Sequence, residues 1–202
     1  MKKLFLLFLL FSFLAVTSCG GISIMDKDAV KGSGIEKSEK REIASFNAIE
    51  IDCYAKANIK SQDKQSIEII GDDNIIPLLL TEIKDNTLRI KTSKSYNLNK
   101  PLQINISIPN IERLSLSGAA ETVLSNLKND KLAIDLSGAG TIKAQGETQF
   151  LDITLSGAGA LDAKDLLANT VKANVSGAGS VSLFSKEQLD ATVSGVGSIN
   201  PN

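Results

Sequence analysis

The sequence contains no histidine, no tryptophan, 2 cysteines and only 4% aromatic residues over its 202 positions. Without imidazole groups, Ser-His-Asp and Cys-His nucleophiles, histidine general bases and histidine-ligated metals are excluded. A net charge of −1 supplies no basic surface for nucleic acid, and so few aromatic rings offer few platforms on which bases or sugars could stack. We therefore expect no nucleic-acid partner, no metal and no cofactor.

The N-terminal residues have the pattern of a secretory signal. A cationic start, Met1-Lys2-Lys3, precedes an apolar stretch from Leu4 to Val16 that is too short for a comfortable membrane span. The tetrapeptide Val16-Thr17-Ser18-Cys19 resembles the lipobox of bacterial lipoproteins, which implies that residues 1–18 are removed and that a lipid on Cys19 binds the membrane. The alternative is an ordinary signal peptide with an incidental cysteine.

The residues after Cys19 bear on location. In lipoproteins of this kind an aspartate directly after the cysteine retains the protein at the inner membrane, whereas Gly20 and Gly21 stand here, which favours the outer membrane. Surface display is associated with an acidic stretch at once after the cysteine, and Asp26 comes late, which favours the periplasmic side. Residues 19–43 are interpreted as lipid anchor and flexible tether, because they are polar with little apolar periodicity.

Lipidation of Cys19 would leave Cys53 without a partner in the chain. The exported protein is then expected to have no intramolecular disulfide, so that packing and backbone pairing must stabilise it. We interpret Cys53 as a small buried hydrophobic residue in a strand rather than as a reactive thiol.

The dipeptide Ser-Gly recurs five times in the second half, at intervals of 20, 19, 20 and 18 residues. Self-similarity at such a period is typical of a solenoid in which each repeat forms one coil. The predicted corner residues are Ser117 and Gly118; Ser137, Gly138 and Gly140; Ser156, Gly157 and Gly159; Ser176, Gly177 and Gly179; and Ser194, Gly195 and Gly197.

Apolar and polar residues alternate before each corner, which predicts a strand with one buried face. The predicted buried positions are Leu132, Ile134, Leu136, Leu151, Ile153, Leu155, Val171, Ala173, Val175, Leu189, Ala191 and Val193. The predicted solvent positions between them are Ala133, Asp135, Asp152, Thr154, Lys172, Asn174, Asp190 and Thr192. A second short strand follows each corner, and residues 145–149, 164–170 and 185–188 are predicted to be variable loops. These loops and the polar strand faces are the candidates for a binding face, although their composition indicates no ligand.

Glycine suits these corners because it takes positive φ or lets backbones approach without a Cβ clash. The recurring serines could form a hydroxyl ladder or bond to the corner backbone. A phosphate-binding loop is the functional alternative, but no corner is followed by Lys-Ser/Thr and a helix.

The first half alternates like a set of strands in a different register. The predicted strands are Ile49–Ile51, Ala57–Ile59, Ser66–Ile69 and Leu102–Ile108, with a hairpin turn at Asp85-Asn86. The Ile75–Leu80 run is either a helical turn or a buried strand. Asp72 and Asp73 are interpreted as turn residues, because the spaced oxygen ligands of a calcium loop are missing.

Several motifs together carry a resemblance to a known family. In chain order they are Phe46-x-x-Ile49, Ile67-Glu68-Ile69-Ile70-Gly71-Asp72-Asp73-Asn74, Asn86-Thr87-Leu88-Arg89-Ile90 and Pro109-x-x-x-x-Leu114-x-Leu116-Ser117-Gly118, followed by the Ser-Gly-Ala-Gly repeats. They resemble the putative auto-transporter adhesin head GIN domain family over about residues 44–200. The resemblance implies an exported protein of Bacteroidetes-type bacteria, often a lipoprotein, with a right-handed parallel β-helix-like fold.

The sequence thus predicts an all-β protein. A strand-rich N-terminal β portion, residues 44–112, precedes a right-handed parallel β-helix or β-solenoid with coils of about 20 residues, residues 113–202. Members of the family usually continue past the last repeat, whereas this sequence stops at Asn200-Pro201-Asn202. We therefore expect the C-terminal coil either to self-associate with another chain or to fray.

Two function classes remain open. The favoured one is a non-catalytic envelope module that presents the solenoid to a surface, a polysaccharide or a protein; the adhesin label of the family does not define a biochemical activity. The alternative is an enzyme acting on polysaccharide, for which paired carboxylates or a carboxylate with a cation are needed on one strand face. The candidates are Asp152 with Asp135 or Lys172, and a solvated strand face explains them equally well.

Overall fold

The computed structural model of the protein describes residues 29–98 and 100–202. Apart from one short 3-10 turn, Ile76–Leu78, every regular element within these ranges is a β-strand, which confirms the all-β prediction. In this part of the chain no helix is long and apolar enough to cross a bilayer. The predicted signal peptide, residues 1–18, and Cys19 lie outside the described residues.

Residues 29–98 and 100–202 form fifteen strands, and all but two of these belong to one sheet. In chain order they are β1 (Val30–Lys31), β2 (Glu36–Arg41), β3 (Ala48–Asp52), β4 (Ala55–Ser61), β5 (Ser66–Asp72), β6 (Leu79–Lys84), β7 (Thr87–Thr92), β8 (Tyr96–Asn97), β9 (Leu102–Ile108), β10 (Arg113–Leu116), β11 (Glu121–Leu136), β12 (Thr141–Leu155), β13 (Ala160–Val175), β14 (Ser180–Val193) and β15 (Ser198–Pro201). The short pair β1 and β8 forms a separate sheet.

The Ser-Gly repeats stack on one another in parallel. Leu136 pairs with Leu155, Leu155 with Val175, and Val175 with Val193, so each residue meets its counterpart one repeat later. We call the strand segments before the corners the first wall and those after the corners the second wall. The inward side chains of both walls form one core, and burial of this apolar surface is the main favourable term in folding.

The segments predicted as variable loops are instead extended and belong to the long strands β12, β13 and β14. Leu166 and Ala168 are fully buried and Thr148 is 2% exposed, so this part of each repeat also faces the core. Differences in repeat length are absorbed by register shifts, for example between Ala163 and Leu167. A bulge adds a residue to one strand without ending the ladder of hydrogen bonds. Repeats of different length can therefore remain strands throughout, although their variable length is also typical of loops.

The last repeat departs from the predicted burial pattern. Val193 is 45% exposed and Ala191 is also exposed, although the equivalent residues of the preceding repeat, Val175 and Ala173, are buried. No further strand of the described chain covers this edge of the first wall, so its inward side chains lack one layer of neighbours.

The first half of the chain continues the same sheet, so residue 113 does not mark a boundary between two sheets. Strand β10 pairs in parallel with β3, and β11 pairs in parallel with β4. The segment Ala48–Ser61 is therefore an earlier strand, bend and strand unit, with Cys53 and Tyr54 at the bend in place of Ser-Gly. The Ser-Gly repeat does not reveal this unit, because its corner consists of Cys53 and Tyr54.

Beyond this unit the sheet is mixed, so a wholly parallel arrangement is wrong for the first half. Strands β7 and β9 pair in parallel with β3 and β4, but β6 on β7, β5 on β9, and β2 on β5 are antiparallel. The predicted hairpin between β6 and β7 is confirmed, with φ of 52° at Asp85 and 57° at Asn86. This two-residue turn reverses the chain at once, which makes the pair antiparallel.

The tether prediction is wrong for the part of residues 19–43 that the structure describes. Strand β2 pairs along its whole length with β5, and the turn after β5 holds the chain just before β2. Asp73 accepts a hydrogen bond from the Ser33 hydroxyl at 2.6 Å, and the Asn74 amide donates to the carbonyl of Lys31 at 2.8 Å. The acidic turn therefore anchors the N-terminal segment, and the described residues contain no group of three or more Cys, Asp or Glu side chains placed to hold a metal ion.

The corner glycines are required for close approach, because positive φ among the described glycines occurs only at Gly34 and Gly146. The amide of Ala158 donates to the carbonyl of Gly138 at 3.1 Å. A Cβ atom on Gly157 would overlap that carbonyl oxygen, and the same relation holds for Gly177 over Gly157 and for Gly195 over Gly177. Each corner thus rests on the bare backbone of the corner before it.

Replacing Gly157 by alanine is expected to lower the free energy of unfolding by about 1–3 kcal/mol, because the new methyl group overlaps backbone that cannot move aside. Thermal or urea unfolding followed by circular dichroism measures the change. Ser156→Ala is the matched control, since its exposed side chain should change stability by less than about 0.5 kcal/mol. Equal stability of both variants would show that the corner contact is not needed.

Candidate functional site

The corners form an exposed, uncharged ridge along the stack. Ser117, Ser137, Ser156, Ser176 and Ser194 are all exposed, and their hydroxyls make no hydrogen bond to the part of the chain that the structure describes. Each corner is followed by a strand, so no helix N-terminus is present to bind phosphate at these positions. The ridge therefore offers small side chains and backbone, with no group that would define a ligand.

The outer face of the first wall carries an exposed aromatic ring. Phe150 is 57% exposed, and its neighbours in register are Lys131 and Thr170 on the adjacent strands. Asp152 and Lys172 lie directly opposite each other two residues further along the same strands. These five side chains, with Leu151, line a shallow cavity of about 340 Å³, which we call the Phe150 patch.

A polar cavity of about 370 Å³ lies next to the Phe150 patch along the same strands. It is lined by Asn110, Lys128, Asn129, Asp130, Glu147, Thr148 and Gln149. The Asn129 amide donates to the carbonyl of Ile111 at 2.6 Å, while its own Oδ1 is buried and accepts no hydrogen bond from the described residues. Gln149 is fixed by the Asn169 amide at 2.6 Å. Amide and carboxylate groups are thus held beside an apolar ring.

The two cavities together have the composition of a binding surface. Ligand sites combine an apolar contact area with a few placed polar groups, and an aromatic ring supplies a large rigid contact area at low entropic cost. The charged residues that line both cavities balance, since Lys128, Lys131 and Lys172 match Asp130, Glu147 and Asp152. The surface formed by the two cavities therefore carries no net charge.

The structure does not assemble the predicted carboxylate pair. Asp135 forms an ion pair with Arg113, and its register neighbours are Ser115 and Thr154. Asp152 faces Lys172 rather than Asp135. Ala133, predicted on the solvent face, is only 8% exposed, because the longer side chains on both sides of it cover its methyl group.

Phe150 is a surface residue that the predicted solvent positions above do not include. It stands six positions before Ser156, and alternation from the corner would have placed its side chain on the outer face. Glu147, Thr148 and Gln149 of the polar cavity belong to a segment predicted as a candidate binding face, but they stand in strand β12 and not in a loop.

Cys53 is free and buried, which confirms its interpretation as a small buried residue, but the prediction that it stands in a strand is wrong, since β3 ends at Asp52. It lies at the bend between β3 and β4, directly under Gly118, whose added Cβ would come within 2.6 Å of the Cys53 carbonyl oxygen. Burial raises the pKa of the Cys53 thiol to about 12, and the neighbouring Asp52 carboxylate adds to this rise. The thiolate, which is the reactive form, is therefore scarce.

These features define a class of protein: an all-β structure of stacked repeats with a polar outer face. The chain belongs to the family described as putative auto-transporter adhesin, head GIN domain, whose profile matches residues 45–201. No curated protein matches the sequence.

Three solved structures resemble the fold. One is a putative adhesin from Bacteroides fragilis, at 21% identity and a TM-score of 0.68, covering 86% of this chain and 100% of that one. The second is a putative lipid binding protein from Parabacteroides distasonis, at 17% identity and a TM-score of 0.55, covering 87% and 100%. The third is a putative adhesin from Parabacteroides merdae, at 18% identity and a TM-score of 0.51, covering 87% and 99%. At these identities the likeness extends to the fold alone.

Cys53 is expected to resist alkylation by iodoacetamide at about pH 8 in the native protein, because the thiolate is the nucleophile and the thiol is buried. Mass spectrometry of a Cys19→Ser protein, in which Cys53 is the remaining cysteine, measures the labelling. The same protein in guanidinium chloride should be labelled fully. Rapid labelling of the folded protein would contradict the burial of this thiol.

Proposed function

We propose that the protein is a non-catalytic cell-envelope lipoprotein that presents a β-solenoid and binds polysaccharide through the Phe150 patch. The observation that carries the proposal is the exposed Phe150 ring between Lys131 and Thr170 on a rigid strand face. A sugar ring has an apolar C–H face that fits an aromatic ring, and hydroxyl groups that fit amides and carboxylates.

The parallel stacking of the repeats supports a β-solenoid as the framework. From β10 onward each strand pairs in parallel with the next repeat, and the long strands run from one corner to the next. Solenoids expose extended surfaces whose side chains recur at a fixed spacing. A polymer of repeating units is a partner that such a surface can contact at several adjacent positions.

A polysaccharide-acting enzyme is less well supported. Glycoside hydrolysis commonly needs two carboxyl groups flanking the scissile bond, but Asp135 is engaged by Arg113 and Asp152 faces Lys172. The description of the family as an adhesin also favours binding over catalysis.

Location in the cell envelope follows from the N-terminal pattern and the family. An adhesin-type family favours an exported protein, and the lipobox-like residues 16–19 favour a lipid on Cys19. With Gly20 and Gly21 after the cysteine, we propose the outer membrane, with the domain on its periplasmic side. Stable attachment to a membrane requires more than one acyl chain, because a single chain gives only marginal binding. We therefore expect the lipid on Cys19 to carry more than one acyl chain.

Cys19→Ser is expected to abolish incorporation of radiolabelled palmitate and to move the protein from the membrane fraction to the soluble fraction. Cys53→Ser is the control and should still be labelled, because this variant retains Cys19. Protease treatment of intact cells should leave the wild-type protein uncut. Cleavage before the envelope is opened would contradict the periplasmic orientation, and palmitate on Cys19→Ser would contradict the anchor.

Phe150→Ala is expected to weaken binding to a neutral polysaccharide by at least about tenfold, because the ring supplies the central apolar contact. Affinity electrophoresis and calorimetry with a soluble glucan and, in parallel, a uronic-acid polymer measure the effect. Leu167→Ala is the matched control, because Leu167 is 51% exposed outside both cavities. Equal binding by both variants, or no binding of either polymer by the wild type, would contradict the proposal.

A further inference from the structure

The first-wall edge of the last repeat is an uncovered continuation of the core. In the preceding repeat Val171, Ala173 and Val175 are at most 1% exposed. Their counterparts in the last repeat are Leu189, Ala191 and Val193, of which Val193 is 45% exposed. The apolar surface of the core therefore reaches the solvent at residues 188–193.

The backbone of the same segment is unpaired on its outer side within the described chain. Strand β14 pairs with β13 through residues 188–193, but β15 pairs only with Ser180–Leu183. Such an edge presents a row of free N–H and C=O groups, which favours pairing with another strand. Free backbone groups and exposed core side chains thus coincide on one six-residue segment.

The edge strands at the opposite end of the stack are protected against pairing with another strand, so an unprotected edge is not a general property of this sheet. There the outermost strand β2, Glu36–Arg41, consists of five charged residues and one serine, and charged edges discourage strand addition. At the end of the first wall, the Arg41 guanidinium donates to the carbonyls of Leu79 at 2.7 Å and Ile76 at 3.1 Å. Neither device is present at residues 188–193.

We propose that this edge binds the same edge of a second copy of the protein, in an antiparallel dimer centred on Ala191. Around this centre Leu189 lies opposite Val193 of the second copy, so the apolar faces of both first walls become continuous. Asp190 then lies opposite Thr192 on the outer face, which avoids a pair of like charges. An isologous contact of this kind is the commonest way in which soluble chains associate.

The sequence of the edge favours a dimer centred on Ala191 over a shifted register and over pairing through the second wall. A centre at Asp190 would place two aspartates opposite each other, which is destabilising. The second-wall edge ends at Pro201, which lacks an N–H and cannot donate to a ladder. Residues 188–193 contain no proline, so every residue of the first-wall edge that directs its backbone outward retains an N–H to donate.

The test is the mass of the full chain in solution, measured by analytical ultracentrifugation over a concentration series with Cys19→Ser in every sample. The wild-type edge should give a dimer, and Val193→Asp should raise the dissociation constant at least about tenfold, because it places a carboxylate against an apolar partner. Leu80→Asp is the matched control, since Leu80 is 44% exposed on β6, the edge strand at the other end of the first wall, and the dimer should persist.

Oxidative cross-linking through Ala191→Cys tests the register and does not depend on the aspartate variant. A residue at the two-fold centre lies opposite itself, at a Cα separation of about 4.5–5.5 Å that a disulfide can bridge. Thr154→Cys, on the outer face of an interior repeat, should give no covalent dimer. A monomeric wild type at concentrations of about 100 μM, a folded Val193→Asp dimer, or no cross-link through Ala191→Cys would each overturn the proposal. Loss of polysaccharide binding by Phe150→Ala leaves it unaffected.

Discussion

Contact between bare backbones at the corners is the constraint on which the stack depends. The carbonyl oxygen of one corner glycine occupies the space that a Cβ atom of the next would need, and the amides of the next corner bond to that same backbone. This contact holds successive walls in one register, so that each inward side chain meets its counterpart. The buried ladders of leucine, isoleucine, valine and alanine follow from that register, as does the alignment of outward residues into columns.

The repeated half could be predicted from the sequence because its signal is local. The alternation before each Ser-Gly identified the buried positions of all repeats except the last. In the first half, the turn at Asp85-Asn86 gave a comparable local signal and identified the hairpin of β6 and β7. The order of the first half could not be predicted, because the pairing of β3 with β7 and β10 joins residues far apart in sequence. The corner at Cys53 also carries none of the composition that marks the others.

The candidate site was predictable only in part, for a related reason. Outward positions of a strand follow from alternation, so Asp152, Lys172 and Phe150 could be placed on one face. Which outward residues become partners depends on the offset between repeats, and that offset separates Asp135 from Asp152. The register shifts of β11 to β13 lie just before the residues that line the polar cavity, and bulges leave no clear pattern in a sequence.

The spatial order of the layers has a consequence for folding. The unit Ala48–Ser61 lies between strands β7 and β9 on one side and β10 and β11 on the other, although it precedes all of them in the chain. The first strand that pairs with this unit, β7, begins only at Thr87, and the other three follow later in the chain. Assembly must therefore wait for non-local pairing, which makes folding slow, and a chain that crosses a membrane before it folds loses nothing by this delay. The later repeats, each of which needs only its predecessor, can then add one at a time.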